Sequence, residues 1–159
     1  MRYEVVNVAP GHRRYEELIG QIRANPALLA RMWADAEHRL DEPPGKTWTV
    51  ATVLYDGRWI PAAWAACIEQ DGLLRCCDNY EHPGWRGHGL YAAAYRHRHA
   101  TIVAPSRLPA ITYLFAQPIP LHEADGWYRT GVRGISTAAG VEHEWWEMRR
   151  EPTGAQSSM

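Results

Sequence analysis

The chain has 159 residues, of which 46% are hydrophobic and 22% charged. That composition fits one ordinary globular domain around a single core and excludes a disordered, collagen-like or disulfide-scaffolded chain. Seventeen basic residues against eighteen acidic leave a formal charge of −1, which gives nucleic acid no electrostatic handle. No apolar stretch approaches the roughly 20 residues that cross a bilayer. The opening Met1-Arg2-Tyr3-Glu4 lacks a basic-then-apolar leader, so a cytoplasmic protein with reduced thiols is expected. Cys67, Cys76 and Cys77 then read as buried free thiols, since neighbours on a strand point to opposite faces and resist bridging.

Arg2 to Val8 reads as a short first strand, closed by Pro10-Gly11. Leu18, Ile19 and Ile22 follow helical spacing over Arg13 to Ala24. Pro26 opens a second helix through Leu28, Leu29, Met32 and Trp33 to about Leu40. Asp41 to Gly45 is a breaker with the composition of a surface lid. Thr47 to Tyr55, Trp59 to Glu69 and Leu73 to Glu81 are three strands joined by Asp56-Gly57 and Asp71-Gly72, both hairpin signals. Leu90 to Val103 is Ala-rich and helical, and Ala110 to Ala116 is another apolar strand. A short helix near Leu121 to Thr130 precedes two closing strands, Val132 to Ala138 and Glu142 to Arg150. The order implies a mixed α+β fold with a largely antiparallel sheet. Residues 1–150 form one domain, and 151–159 are a polar tail expected to fray.

Between the third hairpin strand and the Ala-rich helix lies Pro83-Gly84-Trp85-Arg86-Gly87-His88-Gly89-Leu90. A strand, a glycine-bearing turn and a helix start gather unpaired backbone N–H groups around one point, which attracts phosphate. Gly87 and Gly89 let backbone approach an anion, and Arg86 adds a guanidinium fork suited to phosphate oxygens. A plain strand-to-helix turn would look the same in isolation. Eight histidines prompt a search for metal spacing, but His97 and His99 diverge on a helix and no zinc-like pattern exists, so no metal is expected. No Gly-x-Ser-x-Gly elbow anchors hydrolase chemistry. Trp33, Trp48, Trp64 and Trp85 could line a pocket, although core filling is the commoner use of such residues.

The stretch from Glu81 to Leu90 resembles the acyl-CoA-binding signature of the GNAT superfamily of N-acyltransferases, where a strand and a Pro lead into Arg-x-x-Gly-x-Gly/Ala at a helix start. Pro83, Arg86 and Gly89 match it. The later segment Ala124 to Val132 and the closing strand Glu144 to Arg150 are similar to that family's second half. Tyr91 replaces the last small residue of the turn. Leu121 stands where the family often has Asn, and its usual tyrosine falls on Trp127, with Tyr128 one residue along.

The resemblance implies a splayed, mostly antiparallel sheet of about six to seven strands flanked by about four helices. It further implies direct attack of a small-molecule amine on an acetyl-CoA or other acyl-CoA thioester. Arg86, Gly87, His88, Gly89 and Leu90 would hold the donor. A base and an acid are useful in such a step. Glu81, with Asp78 and His82 as rivals, is the candidate base at the strand end, and Tyr128 is the candidate acid. Arg96 and His99 could meet the outer phosphates, or, with Arg98, an acidic acyl carrier protein presenting a phosphopantetheine thioester. A non-catalytic acyl-CoA-binding domain is the reading from a different class. Pairing of sheet edges in such folds makes a homodimer a further expectation.

Overall fold

The computed structural model describes residues 1–138 and 140–153. β1 (Tyr3–Val8) leads to α1 (Tyr15–Arg23) and α2 (Pro26–Ala36). Their apolar stripes, Leu18, Ile19 and Ile22 on α1 and Leu28 and Met32 on α2, are buried. Asn25 caps α2 by accepting from the Leu28 N–H at 3.1 Å, with Pro26 in the first turn. The helix stops short of Leu40 because Glu37 adopts a left-handed conformation, φ 52°. The N–H groups of Glu37 and His38 close back on the carbonyls of Trp33 and Met32, which turns His38 beneath the helix end.

β2 (Thr47–Tyr55), β3 (Arg58–Gln70) and β4 (Leu73–Glu81) form the expected antiparallel meander, with Asp56-Gly57 and Asp71-Gly72 at positive φ in the two turns. Two bulges interrupt it. Ala62 is the extra residue on β3, between the pairs Ala51–Ala63 and Thr52–Pro61. On β4, Asp78 and Asn79 together face Ala65, and Asp78 takes φ 56°. A 3₁₀ turn over Pro83–Trp85 and the Arg86–Gly89 segment lead into α3 (Leu90–Arg98), which continues as a π-helical turn over His99–Val103.

β5 (Ala110–Leu114), α4 (Ile119–Glu123), β6 (Tyr128–Ala138) and β7 (Val141–Arg150) complete a seven-stranded sheet in the order β1-β2-β3-β4-β5-β7-β6. The helix expected over Leu121 to Thr130 is displaced and shorter. Gly126, at φ 89°, turns the chain, and Tyr128 already belongs to a strand. Residues 154–159 of the polar tail lie outside the described residues.

α1 and α2 cover one face of the sheet over Trp48, Val50 and Trp64, while α3 covers the other over Ala51, Ala62 and Ala63. Trp48 and Trp64 are fully buried and fill the core. A third cluster, including Leu74, Val103, Trp127 and Met148, fills the space toward α4 and β7. No helix among the described residues is long and apolar enough to cross a membrane. The consequential irregularity lies between β4 and β5. They run parallel but pair only at Leu74–Ala110 and Arg75–Ile111. Beyond that point β5 pairs with β7 alone, and the sheet splits.

Candidate active site

The split opens into a cavity of about 820 Å³, walled by β4 from Cys77 to Glu81, by β5 and the segment after it, by the end of α2, and by Arg86, Gly87 and Tyr91 at its mouth. Because β4 lacks a β5 partner from Cys76 onward, its backbone groups on that edge are free to pair with an extended amide-bearing ligand.

The turn at the mouth is open. Gly87 (φ 86°) and Gly89 (φ 73°) have left-handed backbones, and nothing lies within 4 Å of where a Cβ would stand at either. Gly89 opens α3 without a side-chain cap. Leu90 is buried against the α3-side core, and the His88 ring tilts onto Trp85 at 6.2 Å.

Two side chains expected to act here are otherwise engaged. The Glu81 carboxylate accepts from the Tyr91 N–H at 3.2 Å, so it sits at the start of α3. Arg86 turns toward α2 and donates to Asp35 at 3.0 Å, an oxygen that also accepts from the Tyr80 hydroxyl at 2.9 Å. Burial would raise the Asp35 carboxyl, but hydrogen bonds from Arg31, Tyr80 and Arg86 hold it below the usual carboxylate range. His82, a rival base, spends its Nδ1 on the Gly84 N–H at 2.9 Å.

Tyr128 does not reach the cavity. It is an exposed residue of β6 whose hydroxyl donates to Glu151 at 2.8 Å. Trp127 is buried, edge-on to His122 at 5.3 Å, and is equally absent from the cavity wall. The assignment of Tyr128 as acid is therefore corrected: the helix that would have carried it ends too early. The tyrosine at the mouth is Tyr91, whose hydroxyl is buried with no hydrogen-bond partner among the described residues, and burial pushes it up to about 12. Arg98 is also corrected. It is buried on α3, donating to the Ala66 carbonyl at 3.1 Å and to Asn79 at 2.9 Å, so it takes no part in a surface docking patch. Arg96 remains exposed, and His99 stacks on Tyr95.

A group of residues that sequence reasoning did not assemble lies on the α2 side, where His38 and Asp78 line the cavity and Lys46 stands behind them. Lys46 is 1% exposed and donates to the carboxylates of both Asp78 and Asp41, with its ammonium 4.1 Å from the centre of the Trp48 ring. The expected lid, Asp41 to Gly45, is thereby tied to the sheet, and Glu42 adds a bond from Tyr15 at 3.0 Å. His38 Nε2 stands 3.1 Å from Asp78 Oδ1, in a bent contact outside straight hydrogen-bond geometry. Its Nδ1 is buried without a partner among the described residues. Burial would raise the Asp78 carboxyl, but His38 and Lys46 hold it below the usual range. Burial would lower the Lys46 ammonium, and its two carboxylates hold it above. The signal available in the sequence was the chain's one Lys, set between a breaker and a strand.

No family model and no curated protein sequence matches the chain. Solved structures do. An acyl-CoA N-acyltransferase from Pseudomonas aeruginosa superposes with a TM-score of 0.60 at 14% identity, covering 94% of this chain and 99% of that one. The ribosomal-protein-S18-alanine N-acetyltransferase of Escherichia coli gives 0.63 at 11% identity, covering 94% and 93%. NAA60 of Arabidopsis thaliana, in complex with a bisubstrate analogue, gives 0.57 at 8%, covering 94% and 98%. At such identities the likeness establishes a shared fold, and the fold is that of the GNAT N-acyltransferases.

Proposed function

We propose that this protein is an N-acyltransferase that moves an acyl group from an acyl-CoA thioester to the amine of a small-molecule acceptor. The observation that carries the reading is the split between β4 and β5 beside a glycine-opened helix start, with a cavity of about 820 Å³ where the two meet. A pantetheine arm carries two amides, and the unpaired β4 edge offers complementary groups for them. The phosphates would lie against Gly87 to Leu90, with Arg86 exchanging Asp35 for a phosphate oxygen. The shared fold with N-acyltransferases supports the same reading.

The departure from that picture is Glu81, whose carboxylate holds a helix-start amide that a phosphate would use. This favours keeping a second donor in view, a thioester on a carrier protein, whose pantetheine enters the same split without an adenosine diphosphate. The test is titration with acetyl-CoA and acetyl-pantetheine, together with thiol release in the presence of a panel of amines. Binding and turnover of acetyl-CoA, with acetyl-pantetheine showing a much higher KM, is the expected result, because the remote phosphate contacts are lost. Equal use of both small donors would transfer the reading to a carrier-borne donor, and no binding of either would remove it.

A further inference from the structure

We infer that His38, oriented by Asp78, is the general base of the acyl transfer, and that Lys46 is a positioning residue that holds Asp78 in place. The inference rests on the acyltransferase reading of the cavity and assigns the proton-transfer step within it. His38, after α2, and Asp78, on β4, both line the cavity, with Nε2 and Oδ1 3.1 Å apart. Only 4% of the His38 side chain is exposed to solvent. A histidine this buried ordinarily has both ring nitrogens bonded, yet neither makes a hydrogen bond among the described residues: Nε2 has only the bent contact to Asp78, and Nδ1 has nothing. With Asp78 beside Nε2, the favoured tautomer places the proton there and the lone pair on Nδ1, which is the arrangement of a carboxylate-oriented imidazole base.

The rest of the group fits that role. Asp78 is the extra residue of the β4 bulge, at φ 56°, a conformation uncommon for a side chain other than glycine, and such backbone clusters at functional sites. Lys46 supplies the charge that lets Asp78 remain ionised away from water, and Asp41 completes the pairing. The other candidates for the base are engaged elsewhere, Glu81 by the Tyr91 N–H and His82 by the Gly84 N–H. The titratable groups around His38 are Asp78, Tyr80 and Cys77 on β4, Lys46 and Asp41 on the segment before β2, Asp35 and Glu37 on its own element, and His143 across the cavity.

In the step, the neutral amine nitrogen forms a bond to the acyl carbon as the carbon–sulfur bond breaks. The proton lost by nitrogen passes to His38 Nδ1. The imidazolium then returns it to the departing thiolate, so the products are amide and free thiol, with no net proton change and no further reactant.

The experiment measures thiol release from acetyl-CoA with an accepted amine for the wild type, His38→Ala and His38→Gln, together with acetyl-CoA affinity and thermal unfolding. We expect kcat to fall by about 10²- to 10⁴-fold in both variants with donor affinity unchanged. Added imidazole should restore part of the rate in His38→Ala, a response that a merely structural side chain would not give. Near-wild-type rates in either folded variant would overturn the assignment, as would loss of rate without imidazole rescue while donor affinity is kept. Should both variants fail to fold, an Asp78→Asn protein that turns over at the wild-type rate would overturn it independently, since the imidazole would then need no carboxylate to orient it. A wild type that neither binds nor turns over acetyl-CoA would instead overturn the acyltransferase reading beneath it.

Discussion

Lys46→Met isolates the electrostatics behind the cavity wall, since methionine keeps much of the aliphatic stem over Trp48 and removes the ammonium. Its carboxylate partners differ: the side chain of Asp78 is 18% exposed and that of Asp41 67%. Loss of the Asp41 contact resembles loss of a surface pair, under about 1 kcal/mol. Loss of the Asp78 contact leaves a largely buried carboxylate, and breaking a buried pair costs about 3–5 kcal/mol. Because His38 still faces Asp78, the lower end applies, about 3 kcal/mol, which for a chain of this size is a Tm drop of about 6–12 °C.

The pH dependence has a definite sign. Asp78 is held below its ordinary value of 3.8, so its stabilisation is present above that value and is lost as pH falls through the lower folded value. Lys46 is held above 10.5, so its contribution is present below that value and is lost as pH rises beyond it. In the variant, burial, the largest influence on Asp78, is opposed by His38 but no longer by the ammonium, so the carboxyl takes up a proton more readily. The gap in unfolding free energy from urea melts should therefore narrow as the pH falls from neutrality toward the ordinary carboxylate value of 3.8. A variant that melts within about 2 °C of the wild type at the higher pH, or a gap that does not change with pH, would refute the reasoning.

Arg86→Ala should weaken acetyl-CoA binding by about 1.5–3 kcal/mol, read by calorimetric titration. Gly89→Val should weaken it at least as much, since a β-branched residue at φ 73° strains the backbone and covers the helix start. Tyr91→Phe should slow turnover more than Tyr128→Phe, because Tyr91 borders the cavity and Tyr128 faces Glu151; steady-state rates of both variants decide this. Burial pushes the Cys67 and Cys77 thiols up to about 12 and raises Cys76 as well, so alkylation near pH 8 should be slow in the native protein and rapid in denaturant, as mass spectrometry would show.

The meander was legible because its turns are written in adjacent residues, Asp-Gly twice, and the helix start after Gly89 was legible for the same local reason. Residues of the site that depend on distant partners were not. Arg86 was assigned to phosphate from its neighbours, but its partner Asp35 lies 51 positions away on α2. Lys46 and Asp78 are 32 apart, and their meeting depends on a left-handed Glu37, a short connection and a bulge, none of which leaves a periodic trace. Tyr128 was misplaced by a helix boundary. The apolar pattern continues to Trp127, and it is Gly126 that turns the chain before the helix reaches it.

The bulge at Asp78 also changes the reading frame of β4. Before it, Leu74 and Cys76 lie on one face and Cys77 packs toward Trp64; after it, Tyr80 joins the Trp64 side, while Asn79 and Glu81 meet Arg98 and Tyr91 of α3. Even numbers on one side of the insertion thus share a face with odd numbers on the other. Removing one residue here would do more than delete a carboxylate. It would restore simple alternation along the numbering while leaving Tyr80 opposite Trp64 and Glu81 toward α3, so the bulge is what lets β4 carry one more residue, and with it a carboxylate in the cavity wall, without exchanging its two faces.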